Sequence, residues 1–462
     1  MKIRTIFAES WIGYIGELFK QYETVDIYRI NIKSCDFFSD NNMTAIVATI
    51  TRRRVAYAAE SAATHTISSR HKITNHANKI FELSKYNPVG AAICGNLDFL
   101  GMPWEDIFKI YRNQLRNSSK PLLSDYSKDF FNFINQKIMP SLCDKQKSDL
   151  SFVINSFWEE ILNLAQDDIN KIWVKVYDES LYSALLLRLV EFIDLYSIKD
   201  KCYGFEDYTL EKFVIYAEDI IDNTLKDCLS SSCPKNFKGK FISALFLIIT
   251  SNIHVYLITT EIIIWGYGED ELFPSYESFV VSLAFDNKIK YTSKSKYVVS
   301  NENVACVEPF AQTDVANTVV RGIDADLRVQ FYYTYKSSLN TFKDDIISKL
   351  QTANAPMELI NIFHTLDVDA YTDVYIQNMN EYIQTNYIEK LVNTISYLSK
   401  EDLADMAESL VRMTYLKRRI TSEEESVGGP VDVAVITKGD GFIWLKRKHY
   451  FSPELNHHYF ER

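Results

Sequence analysis

Apolar residues fall first into short bursts, then into long helical stripes, then into short bursts again. Between Thr44 and Gly95, the runs Ala45 to Ile50 and Val55 to Ala59 are separated by Arg52-Arg53-Arg54, the pattern of a hairpin. The runs Lys79 to Leu83 and Val89 to Cys94 flank Ser84-Lys85-Tyr86-Asn87-Pro88, where Asn87 and Pro88 supply turn chemistry. Together these four runs predict one buried four-strand unit. Ile107, Phe108, Tyr111 and Leu115 then share one face of a helix from Trp104 to Leu115. From about Ser118 to Asn252 the spacing is mostly that of amphipathic helices, for example Leu150 to Ala165 and Tyr182 to Leu195. Strands are expected to resume at Thr260 to Trp265, Phe279 to Phe285 and Asn287 to Tyr291, with Gly266 to Pro274 as a turn. Glu308 to Asp314 reads as the start of a further helical region that Val315, Val319 and Val320 continue. Leu403, Met406, Ala407, Leu410, Val411 and Thr414 form a late helical face, and Gly439-Asp440-Gly441 makes a turn between two closing strands.

Composition narrows the class. The 462 residues are 47% hydrophobic, enough for a full core, and a net charge of −11 argues against a nucleic-acid surface as the main role. The Arg52 to Arg54 run reads as a solvated hairpin tip. Seven cysteines, Cys35, Cys94, Cys143, Cys202, Cys228, Cys233 and Cys306, are scattered without a CxxC, which suits a reducing cytoplasm. Lys2 and Arg4 lead into an amphipathic stretch rather than a signal-peptide core. Only Phe241 to Trp265 is long enough to weigh as a membrane span. It carries Ser251, Asn252, His254 and Glu261, so it reads as a buried helix followed by a central strand, and no membrane partner is expected.

The stretch from Thr44 to Gly95 also carries candidate chemistry. Thr44-Ala45-Ile46-Val47-Ala48, Val55-Ala56-Tyr57-Ala58-Ala59-Glu60, Lys79-Ile80 and the closing Gly95 resemble, in order and content, the first half of the proteasome-type N-terminal-nucleophile (Ntn) hydrolases. Ser426-Val427-Gly428-Gly429-Pro430-Val431-Asp432-Val433-Ala434-Val435-Ile436 resembles the last strand pair of the same family. The resemblance implies an α+β fold, an αββα sandwich, here with a large mostly helical insertion. Its segments are an extension or propeptide over 1–43, a first half over 44–117, the insertion over 118–252 and a second half over 253–462. It also implies threonine peptidase or amidohydrolase activity on peptides or unfolded proteins, within a homo-oligomer, with an ATP-driven unfoldase as a candidate partner. No cofactor or metal is called for.

The chemistry has a physical rationale of its own. An N-terminal threonine needs no histidine, because its α-amine, with a pKa of about 7.7–8.0, can take the hydroxyl proton near neutrality. A lysine beside it keeps that amine neutral and stabilises developing charge, and a carboxylate holds the lysine. By the resemblance, Thr44 is the nucleophile, Glu60 and Lys79 are its partners, and the Gly95 N–H is the oxyanion donor. Glu424, Ser426, Gly428 and Gly429 take supporting places. Glu60 lies 16 residues after Thr44, at the family spacing, and Lys79 lies 35 after it, with the excess length falling in the polar loop Thr64 to Asn78.

Three positions depart from the family: Met43 stands where Gly precedes the threonine, Glu60 replaces Asp, and Val427 occupies the place of a Ser. They favour the alternative, an inactive member of the fold used for structure or recognition. Three readings compete for residues 1–43, with Trp11, Tyr14, Leu18 and Tyr22 at helical spacing: a cleaved propeptide, a permanent cap of an inactive chain, or an upstream extension of a chain that starts at Met43. Elsewhere, His364 with Asp367 and Asp369 reads as a structural helix-to-loop passage, and His457-His458 beside Glu454 as an exposed terminus. The acids after Gly266-Tyr267-Gly268 read as a turn rather than a phosphate or cation site.

Overall fold

The computed structural model describes residues 44–67, 70–172, 178–228, 234, 236–256, 259–421, 428–449 and 451–456. Readings that rest on residues 1–43, on Cys233, on Glu424, Ser426 and Val427, and on His457-His458 lie outside the described residues.

In chain order the strands are β1 (Ala45–Thr51), β2 (Arg54–Glu60), β3 (Ala63–Ile67), β4 (Arg70–Thr74), β5 (Ile80–Glu82), β6 (Val89–Gly95), the two-residue β7 (Asp98–Phe99) and β8 (Met102–Pro103), β9 (Thr260–Gly266), β10 (Ser275–Phe285), β11 (Lys288–Val298), β12 (Ala305–Ala311), β13 (Val431–Thr437) and β14 (Gly441–Lys446). Ten of them form two five-stranded antiparallel sheets, ordered β12-β1-β2-β13-β14 and β11-β10-β9-β6-β5. The sheets bury their facing surfaces against each other: Ile46, Ile50 and Tyr57 of the first meet Ile263, Trp265 and Tyr276 of the second. The outer face of the second sheet, with Ala91, Ile93, Ile262 and Ile264, is covered by α1 (Trp104–Leu115) and α2 (Leu123–Phe133). The outer face of the first, with Ala45, Val47, Ala56 and Ala58, is covered by a late helix, Lys400–Ile420. Strands buried on both faces read as continuous apolar runs, which is why β1, β2, β6 and β9 stood out in the sequence.

Two expectations need correction. The four early runs are all buried, but they are not one unit: β1–β2 lies in the first sheet and β5–β6 in the second. An apolar burst specifies that a strand is buried, not which distant strand it pairs with. And Glu308 to Ala311 is not a helix start. It is the end of β12, the edge partner of β1, with Glu308 opposite Ala48 and Pro309 opposite Val47; the helix begins only at Asp314. Pro309 is tolerated because an edge strand leaves one side of its backbone unpaired. The loop expected from Thr64 to Asn78 also contains the β3–β4 hairpin.

The long helical stretch between the sheet halves continues with α3 (Cys143–Ile172), α4 (Asp178–Ser197), α5 (Leu210–Cys228) and α6 (Phe237–Thr250). Phe157, Leu189, Phe213 and Phe241 pack with Leu283 and Phe285 at the tip of β10, so the helices share one core with the end of the second sheet. No helix among the described residues is long and apolar enough to cross a membrane. A second helical stretch follows β12: α7 (Asp314–Arg321), α8 (Ala325–Thr352), α9 (Met357–His364), α10 (Val368–Ile383) and α11 (Glu389–Ile395), before the covering helix α12 (Lys400–Ile420). His364 ends α9, and Asp367 caps α10 by accepting from the Asp369 and Ala370 N–H groups, as a structural passage would. The Gly268 to Glu271 turn is held by Lys438, whose ammonium donates to the carbonyls of Gly268 at 3.4 Å and Glu269 at 2.8 Å.

Where α6 leaves for β9, polar groups are built into the junction. Lys290, fully buried on β11, donates to the carbonyls of Ile248 at 3.2 Å and Ile253 at 2.5 Å. His254 bonds Ser282 Oγ at 2.7 Å and Thr292 Oγ1 at 2.8 Å, and burial pulls its pKa down to about 3. Below its ordinary pKa of about 6.5 the unfolded chain takes up a proton that the folded junction refuses, so this contribution is intact above that pH and is lost as pH falls towards 3. His254→Gln is therefore expected to flatten the decline of unfolding free energy between pH 6.5 and 3, measured by urea titration at several pH values; an unchanged slope would refute the assignment.

Candidate active site

Thr44 is the residue immediately before β1, and the pairing of β1 on both sides fixes its place. The Gln312 N–H, just past β12, donates to the Thr44 carbonyl at 3.0 Å. Glu60 ends β2 beside the start of β1, because the register sets Ala59 opposite Ile46. Lys79 comes from the other sheet: it directly precedes β5, and its carbonyl accepts from the Ile93 N–H of β6 at 3.0 Å. The three side chains meet. Lys79 Nζ donates to Thr44 Oγ1 at 2.9 Å and to Glu60 Oε1 at 2.5 Å. Thr44 is 4% exposed and the other two 1%.

Burying such an ion pair costs desolvation of both charges, so its remaining lone pairs need partners. The Glu60 carboxylate has them: Oε1 also accepts from the Ala45 N–H at 3.3 Å, and Oε2 accepts from the Ala62 N–H at 2.5 Å and the Gly428 N–H at 3.3 Å. The extra methylene of Glu over Asp is thus absorbed within the turn that follows β2. Burial lowers the Lys79 pKa, with Glu60 opposing it and a more distant Lys448 adding to the depression. An ammonium held this way polarises the Thr44 hydroxyl and favours its alkoxide.

Gly95 closes β6 opposite Thr260 with φ +92°, a conformation that glycine adopts without strain. Gly428 and Gly429 are brought to the site by backbone. The Ser61 N–H donates to the Gly428 carbonyl at 3.2 Å, Ser61 Oγ donates to the Pro430 carbonyl at 2.5 Å, and Gly429 at φ +80° sits so tightly on Asn75 that a Cβ would stand 3.0 Å from its side chain. Glu424 and Ser426 lie outside the described residues. Sequence reasoning missed Ser61, Gln312 and the buried Asp432–Lys448 pair; Gln312 was hidden by reading β12 as helix, although Ala305 to Ala311 with its proline has the composition of an edge strand. Among the described residues no group of three or more His, Cys, Asp or Glu side chains is arranged to hold a metal ion.

Compared with protein-family models and with curated proteins, the chain finds no match.

Removing one member of the pair leaves a buried charge uncompensated. Lys79→Met is expected to cost about 3–5 kcal/mol of stability, and adding Glu60→Gln in the same chain to restore a large part of it. Urea unfolding of the wild type, both single variants and the double checks this; a double variant as unstable as the sum of the singles would show that the two groups act independently.

Proposed function

We propose that this protein is a threonine peptidase or amidohydrolase of the N-terminal-nucleophile type, built on an αββα sandwich with a helical insertion. The observation that carries the reading is the 2.9 Å contact between Lys79 Nζ and Thr44 Oγ1, with Glu60 locking the lysine from the opposite side. The two stacked antiparallel sheets, each with a helical layer outside, support it as a scaffold.

The reaction follows from these groups once Thr44 is the first residue. Its amine takes the hydroxyl proton, Oγ1 attacks the peptide carbonyl, and the oxyanion that forms faces the Gly95 N–H. The amine returns the proton to the leaving nitrogen, the C–N bond breaks, and water then hydrolyses the ester to release the acyl product and restore the hydroxyl. Lys79 holds positive charge near the reacting oxygen throughout. Substrates are peptides or unfolded proteins in the cytoplasm, and enclosure in a homo-oligomer, with an ATP-driven unfoldase as a possible feeder, would restrict access.

A second reading is favoured by one feature: Thr44 follows Met43 in the sequence, and a retained peptide bond between them removes the base. The chain would then be an inactive member of the same fold with a structural or partner-binding role. Hydrolysis of fluorogenic peptides separates the two. Thr44→Ala should lower kcat/KM on the order of 10³-fold or more, while Thr44→Ser, which keeps hydroxyl and amine, should retain measurable activity. Equal rates for wild type and Thr44→Ala would exclude Thr44 as the nucleophile.

A further inference from the structure

A second charged group lies on the inward face of the second sheet, one strand position from Gly95. Glu261 on β9 lies opposite Cys94 on β6, one residue from the Gly95–Thr260 pair, so its Cα stands about 5 Å from that of Cys94. It shares the face of β9 that carries Ile263 and Trp265, towards the first sheet. Glu261 is 6% exposed. Its Oε2 accepts from Lys294 Nζ at 2.8 Å and from the Cys94 thiol at 3.8 Å, whereas Oε1 is buried and accepts from no group among the described residues. A buried carboxylate oxygen left without a donor costs free energy and marks a place where a donor fits.

The approach of Lys294 is itself built by the backbone. The β10–β11 register passes from Phe279 opposite Ser293 to Ser278 opposite Ser295, leaving Lys294 as the extra residue of a bulge. Bulges re-aim side chains, and here the ammonium reaches across β10 to Glu261. Lys294 remains 36% exposed, so its head group can leave for water while the carboxylate cannot.

We propose that Glu261 determines specificity by accepting the ammonium or guanidinium of a lysine or arginine side chain next to the carbonyl that Thr44 attacks, displacing Lys294. One cation replaces another, so the buried carboxylate is paired in both states, and the arriving group adds a donor to the empty Oε1. The inference rests on Thr44 being the nucleophile.

The test uses the protein isolated from its native cell with Thr44 as its first residue, and fluorogenic peptide amides that differ only in the residue before the scissile bond: Arg, Lys, Leu or Asp. The wild type should favour Arg and Lys over Leu in kcat/KM by about tenfold or more. In Glu261→Gln the Arg-to-Leu ratio should collapse towards one. In Lys294→Met, which removes the competing cation, it should rise. This opposition of sign is what a merely structural role for the pair would not produce. A wild type that cleaves Leu and Arg peptides equally, or a preference that survives Glu261→Gln, overturns the specificity assignment and leaves the threonine mechanism standing. A wild type that cleaves none of the peptides overturns the mechanism, and the assignment with it.

Discussion

One buried ion pair joins the two antiparallel sheets. Lys79 directly precedes a strand of the second sheet and Glu60 ends one of the first, and their contact at 2.5 Å is a polar link across a layer filled by Ile46, Tyr57, Ile263 and Trp265. Such a pair is a poor source of net stability, since desolvation offsets much of the attraction. It does, however, demand particular geometry. Four donors converge on Glu60, and they come from residues 45, 62, 79 and 428, far apart in the chain. The carboxylate therefore fixes where β1 begins, where the chain turns after β2 and where the segment before β13 must pass. Thr44 inherits its place from that convergence.

The same constraint explains how the helical stretches are accommodated. The α3–α6 segment shares a core with the tip of β10 at Leu283 and Phe285, and α8–α11 intervene between α7 and α12. Neither breaks the pairing of β6 with β9 or of β2 with β13, the contacts that hold Lys79 and Glu60 in position. Long connections cost little beyond loop closure when their ends are already set by strand pairing.

Much of this was legible in the sequence where burial is two-sided. The runs in β1, β2, β6 and β9, the helix Trp104–Leu115 and the apolar face of α12 emerge from periodicity alone, because the buried positions of each are mostly apolar. Thr44, Glu60 and Lys79 could be grouped only through the family resemblance, and their side chains do meet. What the sequence hid are relations between distant strands. Whether β1–β2 and β5–β6 share a sheet depends on β9, β12 and β13, which lie hundreds of residues away. Glu308 to Asp314 misled because a proline followed by Gln312, Thr313 and Asp314 mimics a helix start, while the pairing to β1 that makes Glu308 to Ala311 a strand is non-local. Glu261 looked like one charge in an apolar run; only the register with Cys94 and the bulge at Lys294 show that it lies beside Gly95 and carries an ion pair.

The account turns on the chemical state of one nitrogen. Lys79 and Glu60 prepare the Thr44 hydroxyl, but the proton acceptor beside it is the α-amine, which exists only if the chain begins at Thr44. The most direct measurement is the intact mass and N-terminal sequence of the protein isolated from its native cell. The account predicts a chain whose first residue is Thr44. A mature chain that still carries Met43 in peptide linkage to Thr44 would contradict it.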